Sequence, residues 1–337
     1  MKRLTKEQTR KTILRSLPVL ALAAIAFICL PTLLPMSEED MKASVAAVEC
    51  RAHYEIRQGG KTIAAASDIN EDTTLTDVKE KPDSDTERMA MTSGCWTDRH
   101  ALLPSCRGMI AIAEPFAGKQ ELHTYISSHL MEAIDNTINK TEARLKKNKQ
   151  RETELSYYLS THNVKDEGYT NIAAYDNASK EERKKMERSI ALLKKLKEGK
   201  KLSITFAESY TALIADGKRC KRIACHPVAA EGEKTSAGCR LIETHDKKTP
   251  DQARPAHRLP FFRPSAEKGD SVTAAARFGM NPKSGSAKAL QKANTIRGAM
   301  LGGNKHDIPQ LLAPDGSPIY SGSGHFIGLS RKGGIAR

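Results

Sequence analysis

The sequence predicts a mostly β fold with a long α insertion and an N-terminal transmembrane helix. Three observations carry that reading. Residues 42–115 and 202–337 break into short apolar or alternating runs separated by Gly- and Pro-rich turns. Residues 119–199 between them repeat their apolar side chains at threes and fours, and residues 16–37 carry no charge. Short strands joined by glycine-rich turns suit closed antiparallel barrels, because closure leaves no unpaired sheet edge.

The N-terminus divides by charge. Residues 1–15 form a basic tail, with Lys2, Arg3, Lys6, Arg10, Lys11 and Arg15 against Glu7. The uncharged run Ser16–Ser37 follows, and Glu38-Glu39-Asp40 closes it. At ~1.5 Å per residue such a run spans a ~30 Å hydrocarbon core, and the basic flank belongs on the cytoplasmic side. A signal anchor with an extracytoplasmic body, periplasmic or extracellular, is therefore expected. The alternative is a cleaved signal peptide and a secreted protein; "SVAAVEC" offers small residues, but it lies behind the charged "SEEDMK".

Residues 42–118 form the first β region, with "HYEI" and "GMIAIA" as strands. The acidic stretch Asp68 to Glu87 reads as surface or disorder. In the helical region, 119–199, Leu122, Ile126, Leu130, Ile134, Ile138, Leu145, Leu155 and Leu159 mark one long amphipathic helix. "THNVKDEGYTN" interrupts it, with Gly168 as breaker. A second helix is expected to open at Ser179, with Glu182 completing a capping box, and to end at Gly199. The product is an antiparallel helical hairpin. Residues 140–201 hold 17 basic and 10 acidic side chains, a balance of +7 out of +14 for the chain. From residue 200 strand signals return in "LSITFA", "KRIACHP", "CRLIE" and "GDSVTAAARFG". No internal repeat of 20–50 residues is visible.

Net charge of +14 gives a basic surface suited to anionic lipid, nucleic acid or acidic protein. No nucleic-acid-reading motif accompanies it, so no nucleic-acid partner is expected. Cys29 lies in the apolar run. The other six cysteines, Cys50, Cys95, Cys106, Cys220, Cys225 and Cys239, are disulfide candidates in an exported protein. Cys220, Cys225, His226, Cys239 and His245 also suggest zinc, but their spacing is looser than a ribbon or finger, and no metal or cofactor is expected.

Several motifs occur in a telling order. Ser93-Gly94-Cys95-Trp96 is followed by Asp98-Arg99-His100-Ala101-Leu102, and later by Gly269-Asp270-Ser271-Val272-Thr273-Ala274 with Phe278-Gly279. Thr295-Ile296-Arg297-Gly298 comes next, and last the strand pair Ser317-Pro318-Ile319-Tyr320 and Phe326-Ile327-Gly328-Leu329 around a Ser-Gly-Ser-Gly turn. Together they resemble the trypsin-like, chymotrypsin-fold serine proteases over about 45–115 and 200–337. The resemblance implies two antiparallel β-barrels, with the helical hairpin inserted in the first part and residues 200–337 completing the domain.

That family's chemistry needs a Ser nucleophile, a His base, a carboxylate behind the His, and backbone N–H donors for the oxyanion. The resemblance puts Asp315 at the nucleophile position, in an oxyanion-loop remnant Ala313-Pro314-Asp315. A carboxylate there forms no acyl-enzyme and repels the developing charge. The family's Asp falls at Gly238 if "GCRLIE" is its strand, or at Tyr210 if "YTALIA" is. Its His falls at Cys106 or at His100, depending on register. The expectation is thus a degenerate triad and an inactive protease fold that binds a protein or peptide partner. Two alternatives stand beside it: an endopeptidase using Ser317, or Cys106 with His100, as an unorthodox nucleophile, and a helical structural adaptor.

Overall fold

The computed structural model describes residues 34–83, 86–97, 107–116, 119–199, 201–217, 219–228, 238–257, 265–277, 290 and 292–336. The expected anchor therefore lies almost wholly outside the described residues. Among these, no helix is long and apolar enough to cross a membrane.

The β elements form two six-stranded closed antiparallel barrels, consistent with a chymotrypsin-like fold. The first ring runs β1 (Val45–Gln58), β5 (Arg88–Thr97), β6 (Met109–Ala113), β9 (Cys239–Thr244), β8 (Arg219–Pro227) and β7 (Leu202–Asp216), which returns to β1. Strand β2 (Lys61–Ala66) adds to β1 through a hairpin whose turn, Gly59-Gly60, has positive φ at both residues. The second ring runs β10 (Ser271–Ala276), β11 (Asn294–Gly302), β12 (Lys305–His306), β15 (Gly334–Ala336), β14 (Phe326–Arg331) and β13 (Pro318–Ser321), which returns to β10. Taken in chain order, both rings follow first, second, third, sixth, fifth, fourth. The topology repeats where the sequence does not.

The chain divides into two compact units. One comprises residues up to 50, 90–115 and 209–337 and holds the second barrel with the larger part of the first ring. Its second barrel is filled by Val272, Ala274, Met300, Ile308, Ala313, Ile319, Ile327 and Ile335. A further cluster, including Val45, Cys95, Ala111, Ala275, Tyr320, Phe326 and Leu329, joins the two rings. Helix α1 (Glu38–Ala43), capped by Ser37, places Met41 in that cluster.

The other unit comprises residues 51–89 and 116–208. It holds α2 (Lys119–Ser128), α3 (Leu130–Thr161) and α4 (Tyr169–Lys197). Ile126, Leu130, Ile134, Ile138, Leu193 and Leu196 pack on Tyr54, Ile56, Ala64, Ala66 and Ile204. Three expectations change here. The acidic stretch is structured over residues 68–78: β3 (Asp68–Ile69) and β4 (Leu75–Thr76) form a hairpin, and Ile69, Leu75 and Val78 enter this core. Buried Asp68 is held by Arg88 and Lys119. Second, the first long helix breaks at His129, whose backbone N–H bonds back three residues to Ile126, while its ring and Ser128 Oγ compete for the Tyr125 carbonyl. Third, the second helix starts at Tyr169 behind left-handed Gly168, not at Ser179. Ser179 lies mid-helix and buried, its hydroxyl donating to Asn148 Oδ1 at 2.6 Å.

Candidate functional site

The two barrels meet around three segments that the family resemblance singled out. Asp315 lies in the loop entering β13. Its Oδ1 accepts the Lys332 backbone N–H at 2.8 Å and Gln310 Nε2 at 3.2 Å. Gly316 follows at φ +88, and a Cβ there would overlap the Ser93 carbonyl oxygen on β5. Only glycine lets the loop approach β5 so closely. The Ala313 N–H, an oxyanion donor on the family pattern, is spent on the Pro309 carbonyl at 2.9 Å, and Pro314 has no N–H.

Ser317 is fully buried, and its Oγ has no hydrogen-bond partner. Its backbone N–H donates to the Pro314 carbonyl.

Gly238 stands in the turn into β9, which carries "CRLIE", and "YTALIA" lies on β7, so both runs are strands. Tyr210, the other register, is buried on β7 and accepts a bond from Arg240 Nη1 at 2.7 Å. At Gly238 (φ +86) a Cβ would fall within the Arg331 guanidinium. An arginine from the second barrel thus fills the space that a side chain at this position would need.

Cys106 and His100 lie outside the described residues. The pairing around them is clear, however. Gly94 opposes Ile112 and Cys95 opposes Ala111, so the strand beside Ser93–Trp96 is β6. The residue that leaves β6 is Glu114. Its backbone N–H donates to the Gly238 carbonyl at 2.9 Å, and its carboxylate meets Arg240 Nε at 2.6 Å. Glu114, Arg240 and Arg331 were missed from sequence. The signal for Glu114 was present, since "SGCW" and "GMIAIA" are both strand-like and lie close enough in sequence to pair.

The disulfide expectation does not hold among the described residues, where Cys50, Cys95, Cys220, Cys225 and Cys239 are all thiols. Cys220 and Cys225 share β8, about 16 Å apart at ~3.3 Å per residue, and a disulfide needs Cα atoms within ~7 Å. Cys50 and Cys95 are buried as small apolar side chains. Burial pushes the Cys225 thiol up to about 11, which suppresses its thiolate. Among the described residues no group of three or more His, Cys, Asp or Glu side chains is placed to hold a metal ion. His226 instead lies beside Glu243 at 3.4 Å, with the His245 ring edge-on to it.

No protein-family model, curated protein or solved structure matches this chain.

Proposed function

We propose that the chain is a membrane-anchored, extracytoplasmic pseudoprotease of the trypsin-like type, serving as a binding module for a protein partner. The observation that carries this reading is Asp315, a carboxylate at the nucleophile position, tied down by Lys332 N–H and Gln310. Losing such a nucleophile costs on the order of 10⁶ in turnover. Two further features support it. By strand order Glu114 stands where the family carries its histidine, neutralised by Arg240. The Ala313 amide is already bonded within its own turn.

The binding surface on this reading is the helical hairpin. β14 ends in a two-residue turn, Lys332-Gly333, and Arg331 pairs with Gly334 across it, so β14 does not run on as a free edge for a peptide to join. The hairpin, by contrast, exposes Tyr157, Val164 and Tyr175 among excess basic side chains.

The competing enzyme readings need Ser317, or Cys106 with His100, to act as nucleophile. Treating the full-length chain with a fluorophosphonate and with iodoacetamide, beside Ser317→Ala and Cys106→Ala, separates them. The binding module predicts no fluorophosphonate adduct and no rapid, single-site thiol adduct. Labelling lost in either variant makes the protein a hydrolase.

A further inference from the structure

We propose that one end of the second barrel, the end bearing Leu301, rests against the lipid bilayer, with the Leu301 side chain in its interfacial layer. This rests on the anchor reading of residues 16–37 and adds the orientation of the domain above it. The uncharged run does not lead into a free linker. Its last residues are fastened to the barrel: the Met36 N–H donates to the Gly324 carbonyl at 3.0 Å. Gly324 is shaped for that contact. A Cβ on it would stand 2.8 Å from the Met36 carbonyl oxygen and 3.0 Å from Pro35 Cβ.

The residues around Gly324 define which end this is. The β13–β14 turn abuts the start of β10, since a Cβ on Gly322 would lie 3.1 Å from the Ser271 carbonyl oxygen. Ser271 opposes Ala299 on β11, and Gly269 N–H donates to the Met300 carbonyl at 2.9 Å. Leu301 follows at once and is 57% exposed; Leu34, two residues before the Met36 contact, is also 57% exposed. A chain advances at most ~3.6 Å per residue, so Leu34 lies within about 7 Å of Met36. Two large apolar side chains therefore stand open to solvent where the uncharged run arrives, as expected of a surface that meets lipid.

Charge does not oppose this. The acidic residues that follow the run are engaged: Glu38 with Thr295 and Lys42, Glu39 with Lys42, and Asp40 with Ser37 and Arg254. Lys268 packs beside Gly302 and Lys305 pairs with Gly302 across β11 and β12, while Glu267 and Asp270 stand in the adjacent turn, so both signs of charge are present at this end. The attraction is apolar, so it does not depend on anionic headgroups.

The test uses the full-length chain in phosphatidylcholine vesicles with or without bromine on the acyl chains. The native chain has one tryptophan, Trp96, which is buried and serves as the internal control. In Leu301→Trp the added indole sits on the exposed end of β11 and leaves the barrel packing alone. The expected result is that brominated lipid removes more than half of the added emission and leaves the native chain's emission unchanged. A variant that stays in the vesicles through alkaline carbonate, yet keeps its added emission in brominated lipid, overturns the orientation alone. If carbonate washes the native chain itself from the vesicles, the anchor reading falls and the proposal with it.

Discussion

At the scale of single residues, glycines and one histidine carry the sharpest consequences. Gly316 and Gly238 both sit at positive φ, where any side chain costs about 1 kcal/mol of backbone strain. They differ in what a methyl group would strike. At Gly316 it meets the Ser93 backbone carbonyl, which cannot yield; at Gly238 it meets the Arg331 guanidinium, which can swing away. Gly316→Ala should therefore cost about 3 kcal/mol or more and Gly238→Ala about 1–2 kcal/mol. Urea denaturation of the two variants measures the order, and equal losses would contradict the rigid contact. His306 gives a pH signature. It is buried on β12, and burial holds its pKa below the usual histidine value, against the opposing pull of the Ile308 backbone and Asp307. Its ring faces Ser330 Oγ at 3.4 Å. The folded state thus favours the neutral ring. Above about pH 7 neither state binds the proton and stability is full. As pH falls below about 6.5 the unfolded chain takes up a proton that the folded one refuses, and stability drops by up to about 1.4 kcal/mol per pH unit until the folded pKa is reached. Comparing native and His306→Gln chains by denaturation between pH 8 and 5 isolates this loss, which the variant should lack.

At the scale of elements, the hairpin is the unusual piece. Near the barrel strands its helices bury Ile and Leu, but further out the seam turns polar. Asn148 and Ser179 exchange two hydrogen bonds, Glu152 receives Arg183, and Asp176 receives Lys180 and Ser156. Such a seam fixes the register of the two helices and adds little stability, because each buried polar group has only exchanged water for a partner. Asn148→Ala leaves the buried Ser179 hydroxyl without its acceptor and should cost about 1–3 kcal/mol. Asn148→Leu with Ser179→Ala removes both side chains' needs and should recover most of that loss. Helical circular dichroism during melting reads both; a double variant as unstable as the single would mean the seam carries stability after all.

At the scale of the whole molecule, the unit holding the second barrel and the larger part of the first should unfold as one. Tyr320 of the second barrel is fully buried and shares a hydrogen bond with Ser44, the residue before β1, and the Ser44 carbonyl accepts the Trp96 N–H at 2.8 Å. Tyr320→Phe should cost about 1–2 kcal/mol. Trp96 lies in the first barrel, so its fluorescence transition should move to lower denaturant although the change is in the second. An unmoved Trp96 transition would show the barrels unfolding separately.

The sequence by itself determined what local periodicity and turn chemistry control. The strands around "GMIAIA", "CRLIE", "SVTAAA" and the final Ser317–Leu329 pair, the two helix stripes, the Gly168 break and the uncharged N-terminal run were all legible, because each is set by spacing along the chain. The turn that carries Asp315 into β13 was legible too, since Asp315 lies three residues before Pro318 in one continuous motif. Tertiary structure alone decided the rest. Which strand pairs with Ser93–Trp96 is a non-local choice, and it sets Glu114, which the motif reading passed over, beside Gly238. The acidic run from Asp68 looked too polar to bury, yet Arg88 and Lys119 arrive from distant sequence to neutralise it while its few apolar residues reach a core built by helices. The cysteines looked like staples, but among the described residues ring closure sets Cys50, Cys95, Cys220, Cys225 and Cys239 on separate positions of the first barrel as thiols. Arg331 over Gly238 joins residues that lie far apart in the chain, through a closure of two rings that no local pattern encodes.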